Sequence, residues 1–404
     1  MKYDFTSVID RRSHDSVAVD APGRGGRFEK FAPALPKEGF DLIPLWIADM
    51  NFKTAPPVVE AMRRRLEHPL FGYFGASDEY YGAIRYWQGS RNGVSTLTDA
   101  DIGYENGVQG GVVSALNTVC CPGDYVLVHS PTYVGFTKVL ADNGYTPLLS
   151  DLKPDANGVW RMDYGDMEDK LRKYSVRAAI ICSPHNPTGR VWEREELAAA
   201  MELFKKYNCL VVSDEIWSDI LLNGHRHTPT QSVSEDARNR TVALYSPSKT
   251  FNLAGLLDSY HIIYNPWLRR AVARRAVMNH YNMQNVLSMH AVIGAYSPEG
   301  ARWADELCSV LSHNINYACD EISSRLHGVS VSKPEGTYIL YLNCEEWCRA
   351  SGKSMDELLR AGWDVGVAWQ DGRPFHRPYA IRMNLALPLS QVETVFDRLD
   401  KYVF

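Results

Sequence analysis

From about residue 100 to residue 264 the chain alternates short apolar runs with stretches of helical period, and few folds accept that rhythm. The apolar runs stand at 125–128, 178–182, 210–213, 242–245 and 262–264. Around them, 108–119, 136–141, 193–207 and 267–277 repeat apolar side chains at the spacing of one helix face. Strands alternating with helices of this length imply βαβ units, hence a mainly parallel sheet covered on both faces. Beyond residue 285 the rhythm breaks. Helical stretches at 303–326, 354–361 and 390–402 surround strand-like runs at 337–342 and 380–385, the pattern of an α+β unit. A chain of 404 residues is also long for one domain. The expectation is an α/β protein with a large domain at 51–290, a smaller C-terminal domain at 291–404, and an arm at 1–50 that joins the smaller one.

Upstream of the alternation, the first 55 residues look irregular. Pro56-Pro57 opens a helix to about residue 67, and Ser77 caps another to about residue 91. An aromatic–glycine turn, Phe71-Gly72-Tyr73-Phe74-Gly75, separates the two.

Charge and cysteine usage remove several function classes. The net charge of −5 is small for this length and offers no basic surface to nucleic acid. No run approaches the roughly 18 apolar residues of a membrane span. Residues 1–13 lack the apolar centre of a secretion signal, which points to the cytoplasm. The eight cysteines are scattered, only Cys120 and Cys121 adjoin, and no Cys or His spacing suits zinc. No metal is expected, and the thiols read as small buried side chains of a reducing compartment.

The chemistry concentrates in four stretches. Ser246-Pro247-Ser248-Lys249-Thr250-Phe251-Asn252-Leu253-Ala254-Gly255 follows the run 242–245. Lys249 stands there among hydroxyls, glycine and apolar side chains rather than among charges. A lysine in a dry pocket loses its proton and becomes an amine nucleophile, suited to a Schiff base with an aldehyde; a solvated loop lysine is the plain alternative. Gly107-Val108-Gln109-Gly110-Gly111 opens a helical stretch, where backbone N–H groups and the helix dipole favour a phosphate. Close packing alone also explains such glycines, and the spacing of dinucleotide and nucleotide loops is absent.

Ser183-Pro184-His185-Asn186-Pro187-Thr188-Gly189 is a rigid loop at the C-terminal edge of a strand, where open α/β sheets bind ligands. It presents the Asn186 amide. In Leu210-Val211-Val212-Ser213-Asp214-Glu215-Ile216-Trp217, Asp214 ends a buried strand. Its carboxylate either holds a ring nitrogen protonated or caps a helix, and Glu215 is expected to point elsewhere.

Asn186, Asp214 and Lys249, in these three contexts and at these separations, resemble the fold-type I pyridoxal-phosphate enzymes. The likeness is greatest to the cystathionine β-lyase branch of the class I/II aminotransferases, the MalY/PatB type. Trp46-Ile47-Ala48-Asp49-Met50-Asn51-Phe52 and Phe71-Gly72-Tyr73 resemble that branch too. The resemblance covers nearly the whole chain and implies an aspartate-aminotransferase-like fold with pyridoxal 5′-phosphate as cofactor.

It also implies roles. Lys249 would be the Schiff-base lysine and then the base that takes the Cα proton. Asp214 would pair with the pyridine nitrogen and make the ring an electron sink. Asn186 would meet the phenolic oxygen, Tyr133 would stack on the ring, and Trp217 would lie beside it. Gly107, Val108 and Gln109, with Ser246 and Ser248, would hold the phosphate. Tyr73 would reach that phosphate from a second subunit, which implies a homodimer with shared active sites. Arg382, in Ile381-Arg382-Met383-Asn384, would take the substrate carboxylate in a two-pronged contact, with Ala48, Asn186 and Trp46 alongside. An interdomain salt bridge is the alternative for Arg382.

Three positions depart from the family pattern. Trp217 stands where relatives carry tyrosine or histidine, and an indole can only donate. Leu257 stands where many relatives carry a phosphate-binding arginine. Around 279–285 no arginine awaits a distal acid, so aspartate and glutamate are expected to be poor substrates.

The activity implied is β-elimination from an amino acid such as cystathionine, cystine or an S-substituted cysteine, giving thiol, pyruvate and ammonia. Trp46, Tyr73, Phe74 and Trp217 suit an apolar leaving group, or simply pack. Transamination of a non-dicarboxylic amino acid is the alternative, because the same lysine, aspartate and arginine serve it. A ligand sensor on the same fold is the third reading, opposed by the intact Lys249, Asp214 and Arg382.

Overall fold

The computed structural model describes residues 1–279 and 282–404. Its centre is a seven-stranded sheet built from β1 (Ile102–Glu105), β2 (Tyr125–Ser130), β3 (Thr146–Asp151), β4 (Ala178–Cys182), β5 (Leu210–Asp214), β6 (Thr241–Tyr245) and β7 (Ser259–Ile262). The order across the sheet is β1-β7-β6-β5-β4-β2-β3. From β6 to β3 all neighbours run parallel. Only β7 is reversed, antiparallel to both β6 and β1.

The apolar runs are continuous because the central strands are buried on both faces; every residue of β4, β5 and β6 is buried. Alternate side chains feed two cores. Val126, Val128, Ile180 and Val212 pack with Val112 and Leu116 of the helix Val108–Leu116 and with Leu268 and Val272 of the helix Pro266–Asn279. Leu127, Ala179, Ile181 and Val211 pack with Met167 of the helix Tyr164–Tyr174 and with Leu197 and Phe204 of the helix Arg194–Lys206.

The C-terminal part forms a four-stranded antiparallel sheet in the order Ser330–Val331, Ile339–Asn343, Ala380–Asn384, Gln370–Asp371. The helices Pro298–Arg325, Met355–Asp364 and Leu389–Tyr402 contribute to its core. The arm reaches this part: Ile43–Pro44 pairs in parallel with Val367–Ala368. Beyond that pair, Asn384 N donates to Leu45 O at 2.8 Å and Asn51 N to Ala386 O at 2.8 Å.

Several boundaries differ from the sequence reading. The strand expected at 262–264 lies at Ser259–Ile262. Its polar side chains find internal partners: Ser259 Oγ donates to Glu105 O at 2.8 Å, and His261 Nδ1 lies 2.7 Å from Glu105 Oε1. The helix expected at 108–119 ends at Leu116, where Thr118 Oγ1 turns back to Ala115 O and Pro122 follows. β1 and β3, both at sheet edges and partly exposed, carry no continuous apolar run and were not expected. The helix Tyr164–Tyr174 was not expected either. Nor was Val286–Ala295, which is buried nearly all round and so shows no period. The helices at Pro56–Leu66, which opens on its two prolines, and Asp78–Asn92 stand as read, the second capped by the Ser77 side chain accepting from Tyr80 N.

Candidate active site

The parallel strands deliver the candidate residues to one edge of the sheet. Asp214 closes β5, in register with Cys182 on β4 and Leu244 on β6. Asn186 follows β4, Lys249 follows β6, and Gly107 follows β1. Above that edge lies a cavity of about 1210 Å³, lined by Lys249, Asp214, Asn186, Tyr133, Trp217 and Arg382 among others. Arg382 comes from the strand Ala380–Asn384 and Ala48 from the arm, so three parts of the chain meet there.

Lys249 extends into this cavity and its Nζ donates to the Ala48 carbonyl at 2.8 Å. Tyr338 OH donates to the same oxygen at 3.0 Å. Burial, reinforced by the Arg382 charge, lowers the ε-amine to about 8, against the pull of Asp49 and Asp214. Trp217 turns its ring toward the amine, 5.6 Å from Nζ to the ring centroid, and meets Tyr338 edge-on at 4.7 Å.

Asp214 is buried with one hydrogen bond, from Ile216 N at 3.1 Å. Burial raises its carboxyl to about 7. A carboxyl so placed lacks a cationic N–H partner. Glu215 points away, as read. It accepts from Tyr245 OH at 2.5 Å and from Thr230 N at 3.0 Å, and meets His227 Nε2 at 2.7 Å and Ser213 Oγ at 2.8 Å. This buried network braces the strand end that carries Asp214.

Arg382 is buried, yet only Nη1 has a partner, Gln370 Oε1 at 2.6 Å. Its Nε and Nη2 have none. Its partner is an amide, and no carboxylate pairs with it among the described residues, so the salt-bridge alternative does not hold. Asn186 Oδ1 is likewise buried without a partner. Two unused guanidinium donors, an unpaired amide oxygen and a lone buried carboxyl fit a group with a ring nitrogen and a phenolic oxygen, together with a substrate carboxylate.

The phosphate end is formed by the first turn of Val108–Leu116. Gly107 caps it at φ 78°, a left-handed conformation that glycine adopts freely, and the amides of Val108 and Gln109 open that turn. Gln109 Nε2 donates to Tyr133 OH at 3.1 Å. Ser248 lines the cavity, while Ser246 stands one layer back: its hydroxyl donates to Asp258 O at 2.6 Å and lies 2.6 Å from Ser248 Oγ. Leu257 and Trp46 also line the cavity; the Trp46 indole N–H is tied to Ala18 O at 3.0 Å. Tyr73 is fully exposed and does not line the cavity of its own chain.

Sequence reasoning missed several contributors. Gln370 is the register partner of Arg382, which no local pattern reveals. Arg11 and Asp49 line the cavity as an ion pair; Asp49 stands in the stretch 46–52, where the sequence alone gives it no role. Of segment 279–285, His280 and Tyr281 lie outside the described residues. Asn282 buttresses the loop before Gly107, accepting from Asn106 N at 2.6 Å and donating to Tyr104 O at 2.6 Å.

A doubly covered parallel sheet with a lysine, an aspartate and an arginine converging at its edge defines a pyridoxal-phosphate enzyme of fold type I. The chain belongs to the family "Aminotransferase class I and II", whose model matches residues 41–399. It is 34% identical over 326 residues to cystathionine beta-lyase PatB of Bacillus subtilis (strain 168), covering 80% of this chain and 82% of that one. It is 30% identical to protein MalY of Escherichia coli (strain K12), covering 97% and 96%. Among solved structures it matches the PLP-bound C-S lyase from Staphylococcus hominis with a TM-score of 0.87 and 28% identity, covering 98% of each chain.

Proposed function

We infer that the protein is a pyridoxal-phosphate-dependent carbon–sulfur β-lyase. An S-substituted cysteine and water give a thiol, pyruvate and ammonium. One observation carries this: the Lys249 amine, the Asp214 carboxyl and the unused Arg382 donors face one cavity. The naming of PatB and of the Staphylococcus hominis protein gives the reaction its type.

Bound there, pyridoxal phosphate supplies an aldehyde carbon for amines and a ring that takes up an electron pair. The side chains supply the rest. Arg382 Nε and Nη2 grip the substrate carboxylate in a forked contact while Gln370 fixes the guanidinium plane. Lys249 Nζ, its proton affinity reduced by burial, removes the Cα proton near neutral pH. Asp214 holds a proton on the ring nitrogen. Asn186 orients the ring through its phenolic oxygen and Tyr133 covers one ring face. The amides of Gly107, Val108 and Gln109, with Ser248 and Ser246, receive the phosphate.

A homodimer belongs to this reading. Leu66, Leu70, Phe71 and Phe74 are exposed around Tyr73, a run of large apolar side chains of the kind that marks an interaction surface. The Tyr73 loop also adjoins Asn282, which buttresses the phosphate end. The division into 1–50, 51–290 and 291–404 is part of the reading and is supported by the separation of the seven-stranded sheet from the four-stranded one. A cytoplasmic setting is supported by eight free cysteines; no helix among the described residues is long and apolar enough to cross a membrane.

The test is to incubate the holoenzyme with cystathionine and assay pyruvate and free thiol. Both form with the wild type and neither with Lys249→Ala; product from the variant, or none from the wild type, sinks the reading. Transamination is distinguished by an amino acid with no leaving group: conversion of the cofactor to its amine form, seen as lost visible absorbance, would favour it.

A further inference from the structure

The arm brings into the cavity an ion pair that the reaction as described does not use. Arg11 spans four acceptors on the strip 49–51. They are Asp49 Oδ1 and Oδ2 at 3.1 and 2.6 Å, Met50 O at 3.2 Å and Asn51 Oδ1 at 3.0 Å. The two paired side chains are only 18% and 22% exposed. The strip is pinned from two other directions. Asn252 exchanges hydrogen bonds with Met50 N and O at 2.9 and 3.0 Å. Asn384 Nδ2 donates to Ile47 O at 2.9 Å and also to Asp49 O. Ala48, whose carbonyl receives Lys249, therefore sits on a strip fixed from three sides.

The charges around Lys249 come from every element that faces it. Asp214 comes from β5, Arg382 from the C-terminal sheet, and Asp49 with Arg11 from the arm. Tyr133, Tyr338 and Cys182 are neutral near physiological pH, each held so by burial. Asp10, His14 and Asp15 stand exposed at the mouth. Of these groups, Asp49 and Asp214 favour the protonated amine and Arg382 the neutral one. At Tyr338 the fields of Asp49 and Arg11 act in opposite directions. An amino-acid substrate adds its own carboxylate to this cavity. Asp49 without a partner would repel that carboxylate and hold the Lys249 amine protonated, and both effects oppose the reaction.

We infer that Arg11 is a positioning residue: its guanidinium offsets the Asp49 charge, so that the substrate carboxylate meets less opposition on its way to Arg382 and Lys249 gives up its proton more readily. The inference rests on the cavity being the amino-acid site.

The test uses Arg11→Gln, Asp49→Asn and the double variant, each with cofactor bound and with cofactor removed. In the cofactor-free protein, acylation of Lys249 by acetic anhydride is followed against pH by peptide mass spectrometry. Arg11→Gln moves the midpoint up by about one pH unit, Asp49→Asn moves it down, and the double variant returns near the wild type. In the holoenzyme, Arg11→Gln raises KM for cystathionine about tenfold with a smaller change in kcat, and the double variant recovers most of it.

An unmoved midpoint in Arg11→Gln overturns the inference. So does a double variant no better than Arg11→Gln, since removing Asp49 does not mend a merely loosened arm. If Arg11→Gln fails to fold, Asp49→Asn alone decides: a lowered midpoint upholds the inference, and a raised or unmoved one overturns it. No visible absorbance on adding cofactor, or no thiol from the wild type, strikes the lyase reading instead, while the labelling result still decides the charge balance.

Discussion

Asp214 shows how one side chain can be a burden until its ligand arrives. With cofactor removed, its folded carboxyl keeps a proton up to about pH 7, whereas an unfolded aspartate loses it at about pH 4. A raised folded value makes the proton a folding ligand. Its stabilising effect is complete below about pH 4 and is lost as pH rises through 7. Asp214→Asn should therefore melt like the wild type at pH 4 in the cofactor-free protein and above it at pH 8, by on the order of a few kcal/mol. In the holoenzyme the order should reverse, because a neutral amide accepts from a protonated ring nitrogen without balancing its charge. Thermal melts of both forms across that range check it; a cofactor-free variant less stable than wild type at pH 8 counts against the assignment. Lys249, Asp214 and Asn186 were legible in the sequence because each stands at or just beyond a strand end in an unusual context, and Arg382 because an arginine inside a mainly apolar strand needs a partner. Arg11 and Gln370 were not, because a partner reached through the fold gives each its meaning.

At the scale of elements, the helix Val108–Leu116 must lie close on the sheet to point its first turn into the cavity. Gly111 permits that approach: a Cβ there would stand 2.6 Å from Leu244 Cδ2 and 3.2 Å from Glu105 Cγ. Leu244 is fully buried, so its side chain would have to move within a packed core. Gly111→Ala gains about 1 kcal/mol of helix propensity but overpacks by about 1–3 kcal/mol. The net expectation is a loss near 1 kcal/mol in the denaturant midpoint, with weaker cofactor retention on dialysis because the first turn is lifted. A variant that is more stable and retains cofactor equally well would refute the close-packing account. Strands buried on both faces announced themselves as apolar runs. β7 did so only at its last residue, Ile262, because its serine and histidine are buried with partners on β1, and a polar residue satisfied inside the protein looks the same in sequence as one left in water.

For the whole molecule, the proposed homodimer places one phosphate contact, Tyr73, on another subunit. In that proposal each site would take Lys249 from one chain and Tyr73 from its partner. Tyr73→Ala and Lys249→Ala homodimers should both be nearly inactive. Mixed dimers refolded from the two should regain activity, because one of the two sites in each is then wild type at both positions. No recovery after mixing, with exchange verified by mass, would place Tyr73 outside the site. The general architecture was legible from the alternation of runs and helices. The exposed Tyr73 gains a role only in an assembly.

A lyase of this kind releases a thiol inside its own protein, and the cavity wall includes Cys182. Thiol–disulfide exchange begins with a thiolate. Burial pushes the Cys182 thiol well above its ordinary range. Its sulfur is also engaged at home, donating to Pro184 O at 3.3 Å and accepting from Asn186 N at 3.5 Å. The wall is thus chemically deaf to the product: thiols, and the disulfides they form in air, pass a cysteine that neither attacks nor caps them.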